Sequence, residues 1–115
     1  MLLTLDVRDP RPLHEKVAAV IRRAIAEGAY APGSPLPPAR DLAVALDVNT
    51  NTVLRALRRL REEGLLEFRR GRRVRVVGRA GDRAELLVAA TELVTWAKTH
   101  GYDIDEVIDI IRSLY

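Results

Sequence analysis

The sequence contains no cysteine, which excludes disulfides and thiolate metal sites and leaves redox chemistry silent about compartment. Its two histidines, His14 and His100, stand far apart in the chain and form no metal-ligand spacing. No stretch approaches the roughly 18 apolar residues of a membrane span, and the opening MLLTLDVRDPRP lacks the basic-then-apolar order of a secretion signal. The expectation is a chain neither secreted nor embedded in a membrane, with the cytoplasm as default. There is no glycine-rich phosphate loop, no recognisable Ser-His-Asp motif and no thiol nucleophile, so neither enzyme activity nor a bound cofactor or metal is expected. No repeat or low-complexity segment is present.

What is present is a folded composition: 115 residues, 48% hydrophobic, with both signs of charge interspersed. That length fits one domain, or a small domain with an appendage. Net charge is only +3, but it is unevenly placed. Residues 1–79 carry 16 Lys and Arg against 9 Asp and Glu, while residues 80–115 carry 3 against 7, so the two parts hold +7 and −4. Residues 55–79 alone hold ten arginines against Glu62, Glu63 and Glu67. A polyanion is the natural partner of such a surplus.

Pro12 opens a first helix, in which Leu13, Val17, Val20, Ile21, Ala24 and Ile25 recur at helical spacing until Gly28. AYAPGSPLPP then favours an ordered loop or short extended piece over helix, with Leu36 as its anchor to the core. A short helix from about Pro38 to Leu46 buries Leu42, Ala43 and Leu46 and turns Arg40 and Asp41 outward. Asp47 and Val48 form the turn, and Asn49 is suited to cap a second helix from Thr50. On that helix Val53, Ala56, Leu57 and Leu60 share one side, opposite Asn51, Arg55, Arg58 and Glu62. After Gly64, Leu66, Phe68, Val74 and Val76 alternate with charged residues around a tip at Gly71, which reads as an antiparallel hairpin. A break at Gly78 to Gly81 precedes helices from about Asp82 to His100 and from Ile104 to Leu114.

Helix, tight turn, helix and basic hairpin form the layout of a winged helix-turn-helix, a reader of double-stranded DNA. The fold class is mainly α with a small β-hairpin: a winged domain over residues 1–78, then a two-helix dimerisation segment over 79–115. The candidate DNA-binding residues are Arg40, Asn49, Thr50, Asn51, Thr52, Arg55 and Arg58, with Arg70, Gly71, Arg72 and Arg73 in the hairpin. An Asn amide pairs bidentately with adenine, a Thr methyl meets that of thymine, and arginine suits guanine or phosphate. Asn49 and Thr50 also serve as capping residues, with the cap favoured for Asn49 and base contact for Asn51. The hairpin arginines could instead protect a strand edge, although five in seven residues exceed that need. Leu54 reads as a partly buried flank rather than a thymine contact. Asp103, Asp105, Glu106 and Asp109 invite a metal reading, but Asp103 and Glu106 have the spacing of a capping box, which is favoured.

The tail holds more apolar surface than a two-helix hairpin hides alone. Leu86, Leu87, Ala90, Leu93, Val94, Trp96 and Ala97, with Ile104, Val107, Ile108, Ile111 and Leu114, are therefore the candidate dimer interface, with Ala89 on the same broad face. The alternative folds both helices back on the winged domain and makes Trp96 an internal core residue. Two other functions stay open: a module that docks a partner protein through its C-terminal helices, and an architectural binder that responds to DNA charge alone.

From PLHEKV through AIAEGAYAPGSPLPPARDLA to VNTNTVLRALRRLREEGLLEFRRGR, residues 12–77 resemble the GntR family of bacterial transcription regulators. The tail ELVTWAKTHGYDIDEVIDIIRSL is similar to the short C-terminal segment of the YtrA-like subfamily. The resemblance implies a cytoplasmic, homodimeric repressor joined through its C-terminal helices, with recognition helices in successive major grooves of a palindromic operator and wings alongside. It identifies no residues for an effector ligand. The chain departs from the common pattern at Pro38 and Ala39, where a Ser-Glu or Ser-Val pair is usual, and at Thr50 and Leu54, where arginine is frequent. Asp47 stands where the family usually has glycine, and Arg73 where it often has a second wing glycine.

Overall fold

The computed structural model describes residues 4–77 and 80–115. It contains α1 (Leu13–Ala26), α2 (Ala39–Leu46), α3 (Thr50–Glu62), β1 (Leu66–Glu67), β2 (Arg75–Val76), α4 (Ala80–Thr99) and α5 (Ile104–Leu114). Pro12 and Pro38 are the residues before α1 and α2, each extended with ψ 148°. A proline has no N–H to contribute, so the position just ahead of a helix costs it nothing. The second helix therefore starts one residue later than Pro38. The expected break at Gly78 to Gly81 falls partly outside the described residues, and Gly81 itself lies inside α4, which begins at Ala80. The boundary placed between residues 78 and 79 is likewise outside them.

The core is aliphatic and assembled where α1, α2, α3 and the hairpin meet. Val17, Ile21 and Ile25 of α1 pack with Leu42, Ala43 and Leu46 of α2 and with Val53, Ala56, Leu57 and Leu60 of α3. Leu36 anchors the proline-rich loop, and Leu65, Leu66 and Val76 close the hairpin side. Leu13, placed on the apolar stripe of α1 by spacing, is instead partly exposed at the helix start. α4 lies along α1 and sends Ala84 into the same core. α5 has only sparse contact with the other elements.

Two turns set the angles between the helices. Asp47 ends α2 with φ 55° and ψ 51°, a left-handed backbone that Asp tolerates better than most residues. Gly64 leaves α3 at φ 80°, where any side chain would be strained.

The hairpin is antiparallel, pairing Leu66 with Val76 and Glu67 with Arg75. Its ladder is shorter than the alternation from Leu66 to Val76 suggested, because the segment beyond Phe68 opens into a turn in which Arg72 N–H donates to the Arg69 carbonyl at 3.0 Å. The proline-rich loop adds a partial third strand on the far side of β2. Pro35 bridges Arg75, while Gly33 and Leu36 N–H donate to the Val76 and Val74 carbonyls at 2.9 and 2.8 Å.

Candidate nucleic-acid interface

The outward face of α3 is built by its buried one. With Val53, Ala56, Leu57 and Leu60 fixed in the core, the 3.6-residue repeat leaves Asn51, Arg55 and Arg58 facing solvent, and all three are exposed. The helix start is held by Asn49, whose Oδ1 accepts the Asn51 N–H at 2.8 Å. One orphan amide of the first turn is thus satisfied without an acidic residue that would repel a phosphate. Thr50 is exposed beside it, whereas Thr52 and Leu54 are half-buried. Arg40, in the first turn of α2, is also exposed.

The arginines of this region divide by what they already hold. Among the described residues, Arg40, Arg55, Arg58, Arg70 and Arg72 have no side-chain hydrogen bond or ion pair. Arg61 lies over the Phe68 ring, 4.7 Å from its centroid. Arg69 pairs with Glu67 at 3.2 Å. Arg73 Nη2 donates to the Leu36 carbonyl at 2.7 Å, and Arg75 Nη1 to the Gly33 carbonyl at 3.1 Å. These last two guanidinium groups tie the wing to the proline-rich loop. Arg70, Gly71 and Arg72 form the exposed tip, with Gly71 at φ 71°. Arg73, grouped with that tip on sequence, is turned toward the loop.

Residue spacing alone did not reveal an ion-pair node at the end of α3. Arg22, almost fully buried on α1, donates from Nε and Nη2 to the two Glu63 carboxylate oxygens at 2.8 and 2.6 Å. Arg59 Nε adds a bond to Glu63 at 3.1 Å. Burial pushes the Glu63 carboxyl pKa up, but hydrogen bonds and charge from Arg22 and then Arg59 outweigh it, leaving the pKa below its ordinary 4.5. The signal in the sequence was Arg22 itself, one residue from Ile21 on the apolar side of α1.

On the tail, Leu86, Leu93, Val94, Trp96, Ile104, Ile111 and Leu114 are exposed apolar residues, with Trp96 at 54% and Leu114 at 81%. Ala90 is exposed and Ile108 half-buried. Leu87 is half-buried against the core, and Ala97 and Val107 are buried within the chain. Leu93, Trp96, Tyr102, Ile110, Ile111 and Leu114 line most of an apolar groove of about 300 Å3 between α4 and α5. His100 stacks on Trp96 with ring centroids 3.9 Å apart. Asp103 and Glu106 bond each other's backbone N–H as a capping box, at 2.9 and 3.3 Å. Among the described residues no helix is long and apolar enough to cross a membrane.

This geometry agrees with the relatives of the chain. Residues 13–76 match the family described as "Bacterial regulatory proteins, gntR family". The chain is similar to the HTH-type transcriptional regulator Rv1152 of Mycobacterium tuberculosis, 36% identical over 100 residues that cover 86% of this chain and 82% of that protein. It is also similar to the HTH-type transcriptional repressor YtrA of Bacillus subtilis, 34% identical over 71 residues that cover 62% of this chain and 55% of YtrA. Against Rv0494 of M. tuberculosis, 44% identical over 63 residues, the match spans 26% of the relative's length. YtrA from Sulfolobus acidocaldarius superposes with a TM-score of 0.63 at 29% identity, covering 82% of this chain and 99% of that one. The chain spans only about a quarter to a half of the length of several of these curated relatives, and it belongs to the GntR family of bacterial regulatory proteins, whose match covers its helix-turn-helix and hairpin.

Proposed function

We propose that the chain is a homodimeric repressor that reads a palindromic operator, with residues 1–78 as the DNA-binding unit and 79–115 as the dimerising segment. The observation that carries the reading is the outward face of α3, where the side chains of Asn51, Arg55 and Arg58 are exposed and hold no hydrogen bond or ion pair among the described residues. In this reading α3 lies in the major groove. Asn51 and Arg55 contact base edges there, Thr50 and Thr52 face the sugar-phosphate margin, and Arg58 and Arg40 grip phosphate. Arg70 and Arg72, at the tip around Gly71, meet the backbone beside the groove.

Dimerisation is supported by the exposed apolar side chains of α4 and α5 and by the groove between them, which a second copy would cover. A two-fold dimer places two α3 helices on two half-sites and so reads an inverted repeat. The repressing sign rests on the likeness to the B. subtilis repressor YtrA, and the cytoplasmic location follows from a chromosomal target.

The test is enrichment of random duplex DNA by the purified protein at physiological salt, followed by sequencing. A shared inverted repeat is the expected result. Salt-sensitive binding with no motif would replace this reading with architectural binding. A monomer in light scattering that leaves Trp96 open to a quencher and enriches no DNA would replace it with docking of a partner protein.

A further inference from the structure

We propose that Arg83 is a positioning residue that sets the distance between the two half-sites, by fixing the angle at which α4 leaves the reading helix. The inference rests on the homodimeric reading above. Arg83 stands in the first turn of α4, and its Nε donates to the main-chain carbonyl of Glu63, the residue that ends α3. That carbonyl is one of the group no helical N–H satisfies, and it lies at the negative end of the helix dipole, where a guanidinium is favoured. A Cβ built on Gly64 would lie 3.1 Å from the same Nε, so Arg83 occupies the space a side chain at the α3 exit would take.

The next residue, Ala84, is fully buried in the core, and Leu87 packs against it. The base of α4 is therefore held by Ala84 and Leu87 against the core and by Arg83 against the end of α3. Further along, α4 crosses α1, but open clefts of about 460 and 490 Å3 flank the crossing on its two sides. Among the described residues, Arg23 pairs with Glu92 across it at 2.6 Å, an exposed pair of small energetic weight. α4 packs extensively along α1, so a change at its base pivots the helix about that contact rather than releasing it.

Small tilts matter because α4 is a lever. Its 20 residues span about 30 Å, and Leu93, Val94 and Trp96 lie in the half farthest from Arg83. A tilt of about 10° at the base moves the far end by about 5 Å, roughly one and a half base pairs of duplex. In the dimer that displacement separates or closes the two α3 helices without altering the bases each one reads.

The experiment measures binding of wild type, Arg83→Met and Arg83→Lys to the selected half-site, alone and as inverted repeats over a series of spacers. The wild type is expected to prefer one spacer. Arg83→Met should bind the single half-site as before, spread over neighbouring spacers and lose about five- to tenfold at the preferred one, the scale of the net contribution of one hydrogen bond. Arg83→Lys, which keeps a cationic donor, should restore much of the preference. An unchanged spacer profile in Arg83→Met would overturn the assignment while leaving the dimer intact. Equal weakening on the single half-site would overturn it in favour of a role in reading or folding. A wild type with no preference for inverted repeats would remove the dimeric reading itself, a failure visible before any variant is made.

Discussion

Arg55 and Arg58 of α3 and the arginines of the wing tip differ from Arg22 of α1 and the arginines at the wing base in what surrounds them, not in residue type. Arg55, Arg58, Arg70 and Arg72 are exposed and hold nothing among the described residues, whereas Arg22, Arg73 and Arg75 are bonded to a carboxylate or a carbonyl of the same chain. An exposed guanidinium keeps its hydration until a phosphate or a base replaces it. A bonded one has already exchanged water for protein and contributes to the shape that presents the others. The positive surplus seen in sequence is therefore two populations, and mutation should separate them: one set lowers stability, the other lowers DNA affinity.

The largest effect is expected where the engaged set is most buried. Glu63→Ala leaves Arg22 charged and without its partner, and breaking a buried pair of this kind costs about 3–5 kcal/mol. Urea denaturation should show it directly, and a loss below about 1 kcal/mol would mean that the node is dispensable. The same carboxylate predicts a pH dependence. Its folded pKa lies below the ordinary 4.5, so in acid the unfolded chain takes up the proton first and stability rises with pH across that window. The contribution is complete above 4.5 and is lost as pH falls through the lowered folded value. Glu63→Gln should flatten that acid limb, and an unaltered limb would place the titrating group elsewhere.

Arg55→Ala tests the unengaged set and should behave in the opposite way. Folding stability is expected to stay within about 0.5 kcal/mol of wild type because the side chain is exposed and holds no hydrogen bond or ion pair among the described residues. Operator affinity is expected to fall by about 1–3 kcal/mol, with relaxed preference at one base position if the contact is to a base edge. A uniform loss across sequences would assign Arg55 to phosphate, and no loss at all would remove it from the interface.

Periodicity made most of the fold legible. The buried faces of α2 and α3 fall where 3.6-residue spacing placed them, and the Asn49 cap and the Asp103–Glu106 box are local chemistry that a sequence carries openly. The positions missed are those decided by long-range contacts. Nothing near Arg73 in sequence announces that its partner is the Leu36 carbonyl, 37 residues away, nor does Glu63 announce Arg22, 41 residues away. The proline-rich segment reads as a loop or short extended piece, but its pairing with β2 is hidden by prolines, which argue against a ladder except at an edge, where Gly33 to Leu36 sit. α4 was harder for another reason: it faces α1 on one side and exposes Leu86, Leu93 and Trp96 on others, so spacing alone could not divide its apolar residues between core and interface.

The smallest expected difference is also the most direct test of the two populations, because Arg72 and Arg73 are neighbours. Each neutralised phosphate contributes about 0.9 to the slope of log affinity against log salt. Arg72→Ala should therefore lower that slope by about 0.9 per subunit and weaken all sequences alike, with stability unchanged. Arg73→Ala should leave the slope as it was. It should instead loosen the wing base, with a stability loss of about 1 kcal/mol from the missing bond to the Leu36 carbonyl. If both variants reduce the slope equally, Arg73 leaves the loop for phosphate when DNA arrives, and the division between shaping and contacting arginines holds only in the free protein. If only Arg72 does, the wing reaches DNA with its tip alone, and Arg73 serves to stiffen the base.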